Sequence, residues 1–256
     1  MRAHEIELPS TASPDEILAT VNATGGCIVP NFLDQATTES MRNEFDDLMD
    51  NTIDKIDVHA DAGYSIAKRA RLPDVDEGRF PVTCDVVASR GFKEISTRYY
   101  NDVVDYPSKL FFVRSIGRPD EVVTALPYVM HFDRHQFLKF AVLLTDVTED
   151  DGPTWIVPGR TQEFRKKRLE MLNASEITPG ENVLADSGEE VALTGPAGSL
   201  VIFDTDAPHR AGNLAPGRVR KIMRIDTEGE RSRAQSERRV PKKQPLLRKL
   251  RAKIGL

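Results

Sequence analysis

The amino-acid sequence predicts a mainly β fold with flanking helices, a double-sheet jelly roll that carries its helices on one side. Three observations lead there. Seven short β-rich runs separated by turn signals fill the chain from Lys109 onward, whereas residues 13–50 show helical apolar spacing. Short strands that follow a helical part pack as two layered sheets with the helices to one side. At 256 residues and 39% hydrophobic content the chain can bury one sizeable core, and all-β units of this length often stay undivided. Residues 1–229 therefore read as a single domain, with a helical part at about 13–50 and a jelly-roll core at about 109–227.

Taken in order, Ser13-Pro14-Asp15-Glu16 opens the first helix. Ser13 suits the N-cap, Pro14 the first helical position, and Glu16, three residues after the cap, completes a capping box. Gly25-Gly26 stops that helix near Thr24, and residues 27–33 form a short strand that Pro30 confines to an edge or an end. Residues 34–50 follow as a second helix, with Met41, Phe45 and Leu48 at helical spacing. Residues 51–99 are polar and irregular, the type of long loop that serves as a lid, and are expected to shape a substrate pocket. Strands are then expected at 110–116, 122–130, 137–146, 154–157, 191–193, 200–204 and 219–226, divided by turns such as Asp151-Gly152-Pro153 and Gly195-Pro196-Ala197-Gly198. A helix at about 161–172 interrupts them.

Composition excludes several function classes. No apolar run approaches the roughly 18 residues of a membrane span, and residues 1–14 lack the basic start and apolar stretch of a secretory signal. Two cysteines, Cys27 and Cys84, are too few for a disulfide framework, so both read as reduced thiols of a cytoplasmic protein. Nucleotide-loop and hydrolase-elbow spacings are absent. Ten of the 35 Lys and Arg but only two of the 40 Asp and Glu fall in residues 230–256. The body is acidic, which argues against general nucleic-acid binding, while the tail is basic. Within it Leu246, Leu247, Leu250 and Ile254 make one helical face. Such an amphipathic helix can lie on an anionic membrane, dock on an acidic partner, or pack on its own domain.

The chemistry concentrates at His131-Phe132-Asp133 and His209. In an extended segment positions i and i+2 point the same way, so His131 and Asp133 can bind one ion from a strand end. His209 comes 78 residues later, just after an apolar strand, and supplies a third ligand from another strand end. Two imidazoles and one carboxylate leave the remaining coordination positions of a non-haem Fe(II) open for a co-substrate and dioxygen. Alone, His-x-Asp also fits a solvated strand end; apolar strands on both sides set this pair apart. Lys139 is the only charge in the apolar run 137–144. It either faces the barrel interior and binds an anion there, or snorkels at a sheet edge. His135 reads as a loop or pocket-wall residue.

Together with Asp146-Val147, Asp151-Gly152-Pro153-Thr154-Trp155-Ile156-Val157-Pro158-Gly159, Ala197-Gly198-Ser199-Leu200-Val201-Ile202-Phe203-Asp204 and Arg220, the His131-Phe132-Asp133 and His209 motifs resemble the phytanoyl-CoA dioxygenase family. The resemblance covers most of residues 14–227 and implies a double-stranded β-helix of cupin-like type. It implies iron held by His131, Asp133 and His209, with Fe(II), 2-oxoglutarate and O2 as cofactor and co-substrates. Arg220, eleven residues after His209, stands where the family grips the far carboxylate of 2-oxoglutarate, with Arg218 and Arg224 as alternative candidates. Lys139 is a further candidate for that co-substrate. The implied reaction hydroxylates a small organic substrate and releases succinate and CO2; Asp133, a carboxylate where halogenases have a vacated position, favours hydroxylation. Arg160 and Thr161 depart from the Ser-His that commonly follows Pro-Gly in the family. Two other readings stay open: a metal-dependent cupin-like isomerase or lyase that does not use 2-oxoglutarate, and a non-catalytic binding protein recruited through its basic tail.

Overall fold

The computed structural model of the chain describes residues 5–51, 56–61, 65–71, 78–106, 110–117, 126–174, 180–185 and 188–237. In chain order the elements are α1 (Pro14–Thr24), β1 (Gly26–Val29), α2 (Gln35–Asn51), β2 (Ile56–Asp61), β3 (Ser65–Arg71), α3 (Pro81–Ser89) and α4 (Phe92–Tyr100). They continue with β4 (Leu110–Gly117), β5 (Leu138–Leu143), β6 (Thr154–Ile156), α5 (Thr161–Asn173), β7 (Val191–Leu193), β8 (Leu200–Asp204), β9 (His209–Ala211), β10 (Val219–Thr227) and α6 (Glu230–Glu237). Seven strands form one antiparallel sheet in the order β1-β8-β5-β10-β4-β3-β2, and three form a second in the order β7-β6-β9. This is the expected double-sheet fold with flanking helices.

Strand alternation divides the large sheet into two faces with different tasks. Leu138, Phe140 and Val142 of β5, Leu200 and Ile202 of β8, and Met223 and Ile225 of β10 join Ile17, Met41, Phe45 and Phe92 of the helices in one core. Residues of the opposite parity, Ala141, Leu143, Val201, Phe203 and Ile222, pack toward the small sheet against Ile156, Val191 and Leu193. One face of the sheet is sealed by helices; the other lines the space between the sheets, where polar side chains can converge.

Helix α1 begins as its sequence dictates: the Glu16 amide donates to the Ser13 hydroxyl, and the Ser13 amide donates to the Glu16 carboxylate at 2.8 Å. It ends at Gly25, whose φ of 92° lies in the left-handed region and whose N–H donates to Val21 O at 2.8 Å. A Cβ there would sit 2.6 Å from Thr161 Oγ1 and 2.7 Å from Ala207 Cβ. Gly25→Ala is therefore expected to cost about 2–5 kcal/mol, from left-handed strain and overpacking together. Denaturant unfolding at fixed m-value measures it.

The expected strands at 110–116, 137–146, 154–157, 191–193, 200–204 and 219–226 are present as β4, β5, β6, β7, β8 and β10, with β5 ending earlier than expected. At 122–130 only residues 126–130 are described, and they form a turn rather than a strand. Residues 51–99 are not one irregular loop. Their described part holds the β2–β3 hairpin, paired from Ile56↔Ala70 to Asp61↔Ser65, and helices α3 and α4. Strand pairing runs through backbone groups, so a charged sequence can still extend the edge of a sheet that a neighbouring strand, here β4, already templates. The short β9 also went unread, because His209-Arg210-Ala211 lacks the β-branched apolar residues that mark the equally short β7. The tail segment with Leu246, Leu247, Leu250 and Ile254 lies outside the described residues. No described helix is long and apolar enough to cross a membrane.

Candidate metal centre

The small sheet does not end at β9. His131 and His209 form an antiparallel bridge in which each amide donates to the other's carbonyl, at 2.9 and 2.7 Å. Directly opposed residues of an antiparallel pair project to the same side. That exchange places two imidazoles from distant parts of the chain side by side, with ring centroids 4.4 Å apart.

Their nitrogens are oriented by the backbone two residues upstream. Nδ1 of His131 donates to Val129 O at 2.8 Å, and Nδ1 of His209 donates to Ala207 O at 2.9 Å. A carbonyl can only accept, so each Nδ1 carries a proton, and in the neutral form of each ring it is Nε2 that presents a lone pair inward. Asp133 Oδ1 faces them at 3.5 Å from His131 Nε2 and 3.8 Å from His209 Nε2. One ligand atom from each residue lies within 4.8 Å of the other two. Both histidines are 5% exposed, so water does not compete freely for their lone pairs. Phe132 points away into a small core with Phe164 and Met171 of α5, as alternation requires.

Charge in the cluster is set for metal binding. Burial pushes the His209 imidazole down to about 3, so it is neutral across the physiological range. Burial would raise Asp133, but the Lys139 ammonium beside it more than offsets that and holds the carboxyl well below its usual range. Neutral imidazoles and an ionised carboxylate are the protonation states a divalent metal needs. Lys139 is the half-buried partner in this arrangement: its Nζ lies 2.9 Å from Asp133 Oδ2, which leaves Oδ1 to face the imidazoles. Lys139 thus lines the cavity between the sheets rather than snorkelling at an edge.

The cluster opens into a cavity of about 340 Å³ between the sheets, lined by Val113, Ser115, Ala141, Phe203, Ile222 and Arg220 among others. The β10 residues Arg220, Ile222, Arg224 and Asp226 all line it. Their shared parity, which in sequence looks like a solvated face, is the interior face of the sheet. Arg224 is neutralised there by Asp226 at 2.9 Å. Arg218 is exposed, with Asp151 at 3.7 Å. Arg220 differs from both. Its Nη2 reaches only Ser115 Oγ, at 3.4 Å, its Nε is buried with no hydrogen-bond partner, and no carboxylate among the described residues pairs with it. Burial lowers its guanidinium to about 10, with Arg224 adding to the effect. A cation held partly buried without an anion is costly, and the bidentate fork of Arg220 matches a carboxylate. The donor set and this unpaired fork fit a metal and a dicarboxylate.

Sequence reasoning missed the second set of residues that organises the site. Arg165 of α5 donates to Asp204 Oδ2 at 2.6 Å and to Asp206 Oδ2 at 3.0 Å, and Arg168 pairs with Asp206. Tyr99 of α4 donates to Asp204. Asp204 and Asp206 are 1% and 0% exposed, and they flank the turn that leads to His209. Burial and the neighbouring Asp206 raise Asp204 to about 6. Two aspartates after an apolar strand look like an ordinary turn, and nothing in the basic run 165–168 distinguishes the two arginines that turn inward. His135 stacks on Phe137 at 6.3 Å in the ligand loop.

A family model for phytanoyl-CoA dioxygenase (PhyH) matches residues 21–222. The chain belongs to the phytanoyl-CoA dioxygenase family. That family is one of Fe(II)-, 2-oxoglutarate- and O2-dependent dioxygenases. The ectoine dioxygenase of Bordetella bronchiseptica (strain ATCC BAA-588 / NCTC 13252 / RB50) is 34% identical over 92 residues, 31% of this chain and 30% of the relative. The match therefore spans about 30% of the length of the curated relatives found. Among solved structures, the non-haem α-ketoglutarate-dependent carbocyclase SnoK from nogalamycin biosynthesis superposes with a TM-score of 0.61 at 17% identity, covering 85% of this chain and 84% of that one. The epimerase SnoN, solved with Fe3+, α-ketoglutarate and nogalamycin RO, gives 0.60 at 14% identity, covering 84% and 83%. At such identities these neighbours establish the shared fold.

Proposed function

We propose that this protein hydroxylates a small organic substrate with release of succinate and CO2, using Fe(II), 2-oxoglutarate and O2. The observation that carries the reading is the presence in one cavity of the His131, Asp133 and His209 cluster and the unpaired Arg220 fork. Nε2 of His131 and His209 and Oδ1 of Asp133 would hold the iron. When bound, iron and 2-oxoglutarate supply the oxidising power, drawn from oxidative decarboxylation of the co-substrate.

What remains is the work of the chain's own groups. The carbonyls of Val129 and Ala207 keep the imidazole lone pairs aimed at one point. Lys139 fixes Asp133 by one oxygen and leaves the other to coordinate. Arg220, with Ser115 beside it, receives the far carboxylate of 2-oxoglutarate. Val113, Ala141, Phe203 and Ile222 keep the intervening space dry. A cavity of about 340 Å³ lies at the small end of ligand sites, which commonly span about 300–1,000 Å³. Part of it goes to the co-substrate, which supports a small substrate.

Anaerobic titration of the Fe(II)-loaded protein with 2-oxoglutarate tests the reading. A visible absorption band that saturates at one co-substrate per chain is expected, followed by succinate formation on admitting O2. Metal binding with no such band would overturn it in favour of a cupin-like isomerase or lyase.

A further inference from the structure

The two ligand-bearing segments are stitched together twice. At one end His131 and His209 exchange backbone hydrogen bonds. At the other end every polar group of a single residue, Thr205, is used on the segment that carries Asp133. Thr205 O accepts from the Asp133 amide at 3.0 Å, and the Thr205 amide donates to Phe137 O at 2.9 Å. Its hydroxyl accepts from the Phe137 amide at 2.8 Å and donates to His135 O at 3.1 Å. Thr205 is fully buried, so no water can replace these partners. Both neighbours, Asp204 and Asp206, are clamped by Arg165, and Asp206 by Arg168 as well.

We infer that Thr205 is the positioning residue that holds Asp133 in ligand register with the two histidines. Residues 131–137 carry no regular structure apart from the bridge at His131. Backbone direction at Asp133, and with it the aim of Oδ1, depends on what ties this segment down. The amide of Asp133 is tied to Thr205 O, and the turn beyond it is closed by the Thr205 hydroxyl acting as donor and acceptor at once. The Arg165 and Arg168 clamps make residues 204–206 a stiff post rather than a second mobile loop. The hydroxyl is the part of this post that a substitution can remove without changing backbone or shape, because valine is isosteric with threonine. Loss of the hydroxyl removes its hydrogen bonds to the part-buried Phe137 amide and His135 carbonyl, which frees the segment to shift. Outer-shell partners of metal ligands typically contribute about 10–100-fold to affinity.

The inference rests on His131, Asp133 and His209 being the ligands, and its test separates the two. Co(II) is titrated into the unaltered protein, Thr205→Val and Thr205→Ser, well below each variant's melting temperature. Failure of the unaltered protein to bind Co(II) would count against the ligand assignment. With binding established, Thr205→Val should bind roughly 10–100-fold more weakly with a changed visible Co(II) spectrum, and Thr205→Ser, which keeps the hydroxyl, should stay within about threefold. Equal affinity and an unchanged spectrum in Thr205→Val would overturn the inference, even if its melting temperature falls. If Thr205→Val does not fold, amide exchange in the metal-free unaltered protein decides. Asp133 and Phe137 amides should then be protected as strongly as those of β8, and rapid exchange at both would overturn it.

Discussion

Asp133→Ala should lose Fe(II) binding at micromolar metal and, with it, the 2-oxoglutarate absorption band. The carboxylate is the only anionic member of the cluster, so its loss should exceed the about 10–100-fold typical of an outer-shell partner. The same change strands Lys139, which is paired with Asp133 at 2.9 Å and has a side chain 15% exposed. Breaking a fully buried pair from one side costs about 3–5 kcal/mol. Here the residual exposure reduces that to about 1–3 kcal/mol. Adding Lys139→Met should restore most of the stability of the metal-free protein and none of the metal binding. Isothermal titration with Fe(II) and denaturant unfolding of the single and double variants read the two effects separately. If Asp133→Ala kept its metal affinity, the ligand assignment would fall.

Arg220→Ala should weaken 2-oxoglutarate binding with little change in metal affinity. Truncating one side of a buried charge pair typically costs about 2–5 kcal/mol, or about 30- to 4,000-fold. Arg220→Lys should fall between, since an ammonium keeps the charge but cannot offer two parallel donors. Stability should move the other way. In the absence of co-substrate the Arg220 guanidinium has a buried Nε without a partner, so Arg220→Met should leave the melting temperature unchanged or raise it. That opposition is the mark of a group kept for binding at the expense of stability. Titration of 2-oxoglutarate against the Fe(II)-loaded variants checks the first part, and thermal melts of the metal-free forms the second. Unchanged co-substrate affinity in Arg220→Ala would favour an isomerase or lyase that uses the same metal without 2-oxoglutarate.

These two expectations differ in how far the sequence announced them. His131, Asp133 and His209 were legible because metal ligation demands particular side chains at strand ends, and apolar strands with turn signals mark those ends. Arg220 was picked out only by the family resemblance; on its own strand it shares parity with Arg224 and Asp226 and resembles a solvated face. Its interior position becomes clear once β10 is flanked by β5 and β4, with Met223 and Ile225 facing the helices. Residues 51–99 failed for the opposite reason. Their charged composition suggested a loop, yet β2 and β3 pair through backbone groups at the edge of an existing sheet.

By itself, then, the sequence determined the jelly-roll class, the order of the core elements apart from 122–130 and β9, and which three side chains could hold a metal. Those are matters of local periodicity and of donor chemistry, both written in residue identity. Only the tertiary structure decided how the site is aimed. The His131–His209 exchange, the post at Thr205, the Lys139–Asp133 pair and the Arg165 and Arg168 clamps all join residues that pattern reading treats separately. Hydrogen bonds and ion pairs have strict distances and directions but leave no periodic trace in the chain, so they come into view only when the two sheets close on one another.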